Sequence, residues 1–142
     1  MNLIKIATLC GWLAAASLGY GQSATLIADT TVVSTGSELT LRPSVVYPGT
    51  PNAVGWSITL PDGWSFVATN GPDVPQIGPE PGSTGTLEWA YANVPIGGAR
   101  FSFKVKAGGA AGSVKLIARV LLRIDGKQQQ MDAGPLSISV NQ

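Results

Sequence analysis

Hydrophobic and polar positions alternate with a period of two between Ala99 and Ile124, in two runs joined by a glycine-alanine turn. In the first run Phe101, Phe103 and Val105 fall on one side, and polar or basic residues fall on the other. In the second run the apolar side is formed by Val114, Leu116, Ala118, Val120, Leu122 and Ile124. Such alternation is typical of half-buried strands, so the stretch predicts two strands that each cover a core with one face.

The outward charges of these two runs bear on how the runs are connected. In a simple hairpin Lys104 would face Lys115, and Arg100 would face Arg119. Like charges directly opposite one another destabilise a strand pair by up to roughly 1 kcal/mol. We therefore favour a crossing from one sheet to another at residues 108–112 over a hairpin. The two basic faces would then lie on opposite sides of a sandwich.

Shorter alternating runs, separated by turn signals, fill the rest of the chain. Residues 24–33 predict a first strand, and Pro43 limits the next strand to a sheet edge or a bulge. Residues 61–63 predict a tight turn, and the proline-rich residues 70–83 predict a surface loop. About eight or nine short strands and no helix indicate the all-β class, as a single β-sandwich of the jelly-roll or immunoglobulin-like kind.

The N-terminal segment follows a different pattern. Lys5 precedes an apolar stretch at residues 6–18, and small residues precede Gln22. The stretch is shorter than the roughly 20 apolar residues that span a bilayer. We therefore predict a signal peptide over residues 1–21, a sandwich domain over residues 22–142, and a protein secreted to the extracellular space or the periplasm.

Composition narrows the chemistry further. The chain has no histidine, and its one cysteine, Cys10, lies in the predicted signal peptide. A mature chain then lacks a thiol nucleophile, a histidine base and the usual zinc ligands. The formal net charge of +1 is too small for a nucleic-acid surface. We therefore expect no enzyme activity, no nucleic-acid partner, no metal site and no cofactor.

The acidic residues are considered as ligands of a structural calcium ion. Four carboxylates lie in or near predicted loops, at Asp73, Glu80, Asp125 and Asp132. None of them shows the dense ligand spacing of a calcium loop. A structural calcium ion is therefore compatible with the sequence, but no motif indicates one.

The order of the runs resembles the cohesin domains of cellulosome scaffoldins, within the wider group of bacterial carbohydrate-binding-module-like β-sandwiches. The similar stretches are residues 32–41, 53–67, 86–92, 99–117 and 134–140. The resemblance implies a secreted, non-catalytic sandwich of about nine strands. It also implies that the two runs of residues 99–124 lie in different sheets, in agreement with their charges.

Candidate binding residues come from this resemblance and from the basic and aromatic side chains. Cohesins bind dockerins through the outer face of one sheet, and the resemblance places the matching face at Ser57, Thr59, Glu88, Ser102 and Lys104. Arg100 adds a basic side chain suited to an acidic partner or an anionic polysaccharide.

Aromatic side chains are the candidates for a sugar site. Trp64 and Tyr47 lie next to turns, where a ring could serve as a stacking platform or line the rim of the core. Trp56 and Trp89 alternate with polar residues on the apolar side of their strands, so we expect both in the core.

These features support three interpretations of function. The first is a secreted, non-catalytic module for protein–protein or cell-surface interaction. The second is a carbohydrate-binding module of an extracellular polysaccharide-handling system, and the third is a structural matrix or coat component. The expected partner is a protein or a polysaccharide at the cell surface, and no membrane span is expected after signal cleavage.

Overall fold

The structure is a computed structural model that describes residues 22–142, so the predicted signal peptide lies outside the described residues. The described residues form ten strands and contain no helix that could cross a membrane. The strands are β1 (Ser23–Ala28), β2 (Val32–Ser34), β3 (Glu38–Val46), β4 (Ala53–Thr59), β5 (Ser65–Asn70), β6 (Thr86–Ala90), β7 (Gly98–Arg100), β8 (Ser102–Lys106), β9 (Gly112–Ile124) and β10 (Lys127–Asn141).

The strands form two five-stranded sheets that pack face to face. Sheet 1 has the order β1-β3-β8-β5, with β7 also paired to β3, and sheet 2 has the order β2-β10-β9-β4-β6. All pairs are antiparallel except β2 with β10, which is parallel. The predicted all-β sandwich is confirmed, with slightly more strands than expected because several runs are divided.

The core lies between the two sheets and takes alternate residues from most of the strands. In β8, Phe103 and Val105 are fully buried, whereas Lys104 and Lys106 are exposed. The same alternation holds in β9, where the inward residues are buried or half-buried and the basic residues are exposed. The largest fully buried side chains are Trp56, Trp64, Tyr47, Phe101, Phe103, Leu39, Leu41, Ile58, Leu87, Leu116, Leu122 and Met131.

The chain crosses between the sheets after β8. Strand β8 lies in sheet 1 and β9 lies in sheet 2, so the glycine-alanine segment between them passes over one end of the sandwich. The predicted crossing is confirmed. As a result, Lys104 and Lys115 lie on opposite outer faces instead of facing each other across a hairpin.

The run at residues 24–33 is two strands instead of the single strand that its composition indicates. Strand β1 belongs to sheet 1 and β2 to sheet 2. Asp29 lies at the break and bonds to Thr40 in both directions: its backbone N–H donates to the Thr40 carbonyl at 3.2 Å, and its Oδ1 accepts from the Thr40 N–H at 3.2 Å. Three polar residues at the break let the chain leave the first sheet.

Pro43 does not place β3 at a sheet edge, because β1 lies on one side of β3 and β7 and β8 lie on the other. The proline is opposite Phe101, where the partner of β3 changes from β8 to β7. The Phe101 N–H donates to the Pro43 carbonyl at 3.3 Å. The missing proline N–H therefore coincides with an interruption of the ladder, which is how an inner strand tolerates this residue.

The predicted turn at residues 61–63 is confirmed and touches the β8–β9 crossing. The Trp64 N–H donates to the Pro61 carbonyl at 3.1 Å, and Gly63 has a φ of +86°. A Cβ added at Gly63 would lie 2.6 Å from the backbone nitrogen of Gly109. Both segments connect one sheet to the other, so this backbone contact fixes the two crossings against each other at one end of the sandwich.

Candidate functional site

The residues expected on a single binding face lie on opposite sides of the sandwich. Ser57 and Thr59 belong to β4 and Glu88 to β6, both in sheet 2. Ser102 and Lys104 belong to β8 in sheet 1. The predicted common face is therefore wrong. Alternation shows that each side chain points outward, but it does not show to which sheet its strand belongs.

Trp64 and Tyr47 are not stacking platforms. The exposed fractions of these side chains are 1% and 2%, and both belong to the core. The Tyr47 hydroxyl donates to the carbonyl of Pro95 at 2.7 Å, which satisfies its polar end inside the protein. Trp56 and Trp89 are each 2% exposed, so their predicted place in the core is confirmed.

The burial of aromatic rings extends to every aromatic residue in residues 22–142. Five ring pairs have centroids 4.8 to 6.2 Å apart. Four of these pairs link the two sheets, and the fifth, Phe101 with Phe103, lies on the side of sheet 1. A sugar-stacking site needs an exposed ring face, and the described surface offers none. The buried rings are Tyr47, Trp56, Trp64, Phe66, Trp89, Tyr91, Phe101 and Phe103.

The loop between β5 and β6 is fixed to the sandwich by Asp73 and Gln76. The Asp73 carboxylate accepts from the Arg100 N–H at 3.1 Å, and the Asp73 carbonyl accepts from the Tyr91 hydroxyl at 2.5 Å. Gln76 Oε1 accepts from the N–H groups of Ala92 and Asn93. This loop lies on the surface as predicted, but its backbone is held by specific hydrogen bonds.

Burial, with a smaller contribution from the negative charge of Asp73, raises the pKa of Tyr47 from 10.0 to about 12. The same causes raise the pKa of Tyr91. Between pH 10 and 12 these tyrosines ionise in the unfolded chain while the folded protein keeps them protonated. The unfolded state then binds fewer protons, so stability is complete below pH 10 and falls as pH rises through this interval.

We expect the free energy of unfolding to fall above pH 10 by at most about 1.4 kcal/mol per pH unit for each buried tyrosine. Urea titrations of a protein beginning at Gln22, which contains Tyr47 and Tyr91 as its tyrosines, measure this slope. The variant Tyr47→Phe should have a shallower slope. In a pH titration of the folded protein, an increase in phenolate absorbance at the ordinary tyrosine pKa near 10 would contradict the prediction.

The outer face of sheet 2 has an open groove of about 580 Å³ between β4 and β9, here called the sheet 2 groove. Its polar residues are Ser57, Thr59, Lys115 and Arg119, and its apolar residues are Leu60, Pro61, Val114 and Ile117. Ile117 is 47% exposed although it is a large aliphatic side chain. The groove thus combines an exposed apolar residue with a polar border.

The outer face of sheet 1 has a second groove, of about 550 Å³, here called the arginine groove. Arg42, Ser44, Arg100 and Ser102 line it, together with Thr25 and Ile27 of β1 and residues of the loop after β5. Two of the predicted binding residues, Arg100 and Ser102, therefore meet here. Arg42 and Ile117 were not among the predicted residues. Ile117 could have been recognised as an apolar residue at an outward position between Lys115 and Arg119.

The acidic residues considered for calcium do not assemble. Asp132 lies in β10 instead of a loop, and its carboxylate pairs with Arg119 at 3.0 Å. This hydrogen bond and the attraction between the charges raise the pKa of Arg119. Within residues 22–142 no three histidine, cysteine, aspartate or glutamate side chains form a group that could hold a metal ion.

Comparison with family models and with curated protein sequences gives no match. Among solved structures, the chain is similar to the major pilin SpaD from Corynebacterium diphtheriae, with a TM-score of 0.59, 10% identity, and coverage of 82% of this chain and 35% of that one. It is also similar to a DUF4466 family protein from Parabacteroides merdae, with a TM-score of 0.51, 12% identity, and coverage of 83% and 44%. The chain thus spans less than half the length of these two proteins.

A third similar structure is a non-cellulosomal cohesin from the archaeon Archaeoglobus fulgidus. The TM-score is 0.55 at 12% identity, and the match covers 84% of this chain and 91% of the cohesin. At such low identity the likeness concerns the fold alone. It confirms that the domain has a cohesin-like β-sandwich fold, which is the resemblance that the order of strands indicates.

Proposed function

We propose that this protein is a secreted, non-catalytic module that binds a folded partner protein through the sheet 2 groove. The observation that carries the proposal is the composition of this groove, in which Ile117 is exposed among polar and basic residues. Protein interfaces commonly have an apolar centre inside a polar rim. The cohesin-like fold supports the same class of function, as does the predicted signal peptide.

The shape of the sheet 2 groove also favours a protein partner over a small ligand. The groove is open, and it lies along two neighbouring strands that hold Ser57 on β4 opposite Arg119 on β9. The Arg119–Asp132 pair extends the polar border across β10. A rigid sheet already orders the backbone that carries these side chains, so binding costs little backbone entropy, which favours recognition of another ordered surface.

Carbohydrate binding is the second candidate, and the described surface gives it less support. The sequence directed this interpretation to Trp64 and Tyr47, and both side chains are buried. Pull-down of the protein on insoluble polysaccharides tests the possibility directly, and retention there would favour this candidate. The third candidate, a coat or matrix component, predicts self-assembly that light scattering would detect as the protein concentration is raised.

We expect the substitution Ile117→Glu to weaken binding of the partner by about tenfold or more, because it places a charge at the apolar centre of the sheet 2 groove. The matched control is Val46→Glu on the outer face of sheet 1, where the exposed fraction of Val46 is 49% against 47% for Ile117. Wild type and both variants are immobilised separately on a solid support and incubated with secreted proteins of the producing cells. The proteins that each support retains are quantified by mass spectrometry.

A partner that is retained by the wild type and by Val46→Glu, but lost by Ile117→Glu, supports the proposal. Its affinity for the three purified proteins is then measured by calorimetry. Equal retention by both variants, or loss with Val46→Glu alone, would contradict a binding site on sheet 2.

A further inference from the structure

The arginine groove crosses the outer face of sheet 1 at right angles to its strands. It runs from Thr25 and Ile27 on β1, over Arg42 and Ser44 on β3, to Arg100 and the start of β8. Neighbouring strands lie about 4.8 Å apart, so the groove spans roughly 10–15 Å, the length of about four extended residues. A short segment of polypeptide fits these dimensions.

The two arginines lie close enough to act on one ligand. Arg100 is opposite Ser44 in the register, and Arg42 precedes Ser44 by two residues on the same face. Diagonal neighbours of this kind are roughly 7–8 Å apart, within reach of long side chains. Guanidinium groups bind carboxylates through paired hydrogen bonds, so two of them on one groove favour a ligand with carboxylate groups.

Neither arginine is neutralised by an ion pair. Among residues 22–142 the one ion pair is Arg119–Asp132 on the opposite sheet. The Asp73 carboxylate accepts from the backbone N–H of Arg100, not from its guanidinium.

The strands of sheet 1 carry a net positive charge on their outer face. Its outward charged residues on β3, β7 and β8 are Glu38, Arg42, Arg100, Lys104 and Lys106. On these strands four positive charges stand against one negative charge, and the Asp73 carboxylate at the Arg100 N–H adds a second negative charge. The remaining positive charge attracts an anionic partner and accelerates its association.

The apolar and hydroxyl groups of the groove favour a peptide over an acidic polysaccharide. Ile27 is 56% exposed at one end of the groove, where it offers contact to an aliphatic side chain. Ser44 and Ser102 provide hydroxyl groups for a peptide backbone. Polysaccharide sites commonly stack an exposed aromatic ring on a sugar, and all rings of the described residues are buried.

We propose that the arginine groove is a second binding site, which holds an acidic segment of a polypeptide. Carboxylates of the segment lie between Arg42 and Arg100, and an aliphatic side chain packs on Ile27. The site is on the face opposite the sheet 2 groove. It therefore does not depend on the function proposed for that groove, and the two sites can be occupied together.

The test uses a fluorescein-labelled peptide of alternating glutamate and leucine, with fluorescence anisotropy as the readout. The wild type should bind this peptide with an affinity that falls as salt is added. The double variant Arg42→Gln/Arg100→Gln should bind about tenfold more weakly or worse. The matched control, Arg123→Gln/Lys127→Gln, removes the same charge from exposed positions of sheet 2 that line neither groove, and it should bind like the wild type.

Several outcomes would overturn the proposal. These are no binding by the wild type at low salt, an equal loss in the control variant, or tighter binding of polygalacturonate than of the peptide. If the double variant fails to fold, two other variants replace it: the double variant Arg42→Lys/Arg100→Lys and the single variant Ile27→Ala. Peptide binding that is unchanged in both of them would also overturn the proposed site. Ile117→Glu should leave peptide binding intact, so failure at one groove is distinguishable from failure at the other.

Discussion

Replacing Trp89 with alanine is expected to lower the free energy of unfolding by roughly 3–5 kcal/mol, a large part of the stability of a domain of this size. Trp89 lies on β6 in sheet 2, and its ring reaches the rings of sheet 1. Its centroid is 4.8 Å from that of Phe103, 5.4 Å from Phe101 and 6.0 Å from Phe66. The truncation removes this contact between the sheets and leaves a cavity that rigid sheets cannot close. Urea denaturation followed by circular dichroism measures the loss.

Phenylalanine variants separate packing from hydrogen bonding at this position. Trp89 Nε1 donates to Thr69 Oγ1 at 3.0 Å, whereas Trp56 Nε1 is buried without a partner. Both tryptophans are 2% exposed, so substitution by phenylalanine removes a similar amount of buried packing at the two positions. Trp89→Phe should therefore destabilise the protein by about 1 kcal/mol more than Trp56→Phe. Equal losses would show that the Thr69 hydrogen bond contributes nothing.

The burial of these tryptophans follows from local sequence, as does most of the core. Trp56, Trp89 and Phe103 alternate with polar residues, and a period of two assigns a side chain to the inner or outer face whatever its partner strand is. The charges on Lys104 and Lys115 also indicated that their two strands are not paired, because a hairpin would have brought the like charges together. The crossing between the sheets was predictable for that reason.

The composition of the binding faces was not predictable, because it depends on which strands become neighbours. Ser57 and Ser102 have equivalent outward positions in their own strands, yet β4 and β8 lie in different sheets. Arg42 and Arg100 are far apart in the chain and meet through the pairing of β3 with β7. Such pairings are set by the packing of the whole domain, and the alternation within one short strand carries no information about them.

Residues next to turns presented a related difficulty. Trp64 and Tyr47 have too few flanking residues in a regular strand for alternation to assign a face. Trp64 follows the turn that leads from sheet 2 to sheet 1, and the direction of that crossing places its ring inside. A polar group such as the Tyr47 hydroxyl can be buried there because the Pro95 carbonyl lies within hydrogen-bonding distance.

The contact between the two crossings leads to a second large expected effect, for the substitution Gly63→Ala. A Cβ at Gly63 would lie 2.6 Å from the Gly109 nitrogen and 2.9 Å from its Cα, and both are backbone atoms that cannot rotate away. The positive φ of +86° adds strain for any residue with a side chain. We expect a loss of roughly 2–5 kcal/mol, the sum of about 1–2 for the strained backbone and about 1–3 for overpacking.

The control Gly36→Ala isolates the steric part of this loss. Gly36 has a φ of +89°, close to that of Gly63, but an added Cβ there meets nothing within 4 Å. It should therefore show the backbone strain alone, and the difference between the two variants reports the contact of the crossings. Equal losses would mean that the two crossings move apart freely. A larger loss at Gly63 would show that the two crossings are held in contact at this end of the sandwich.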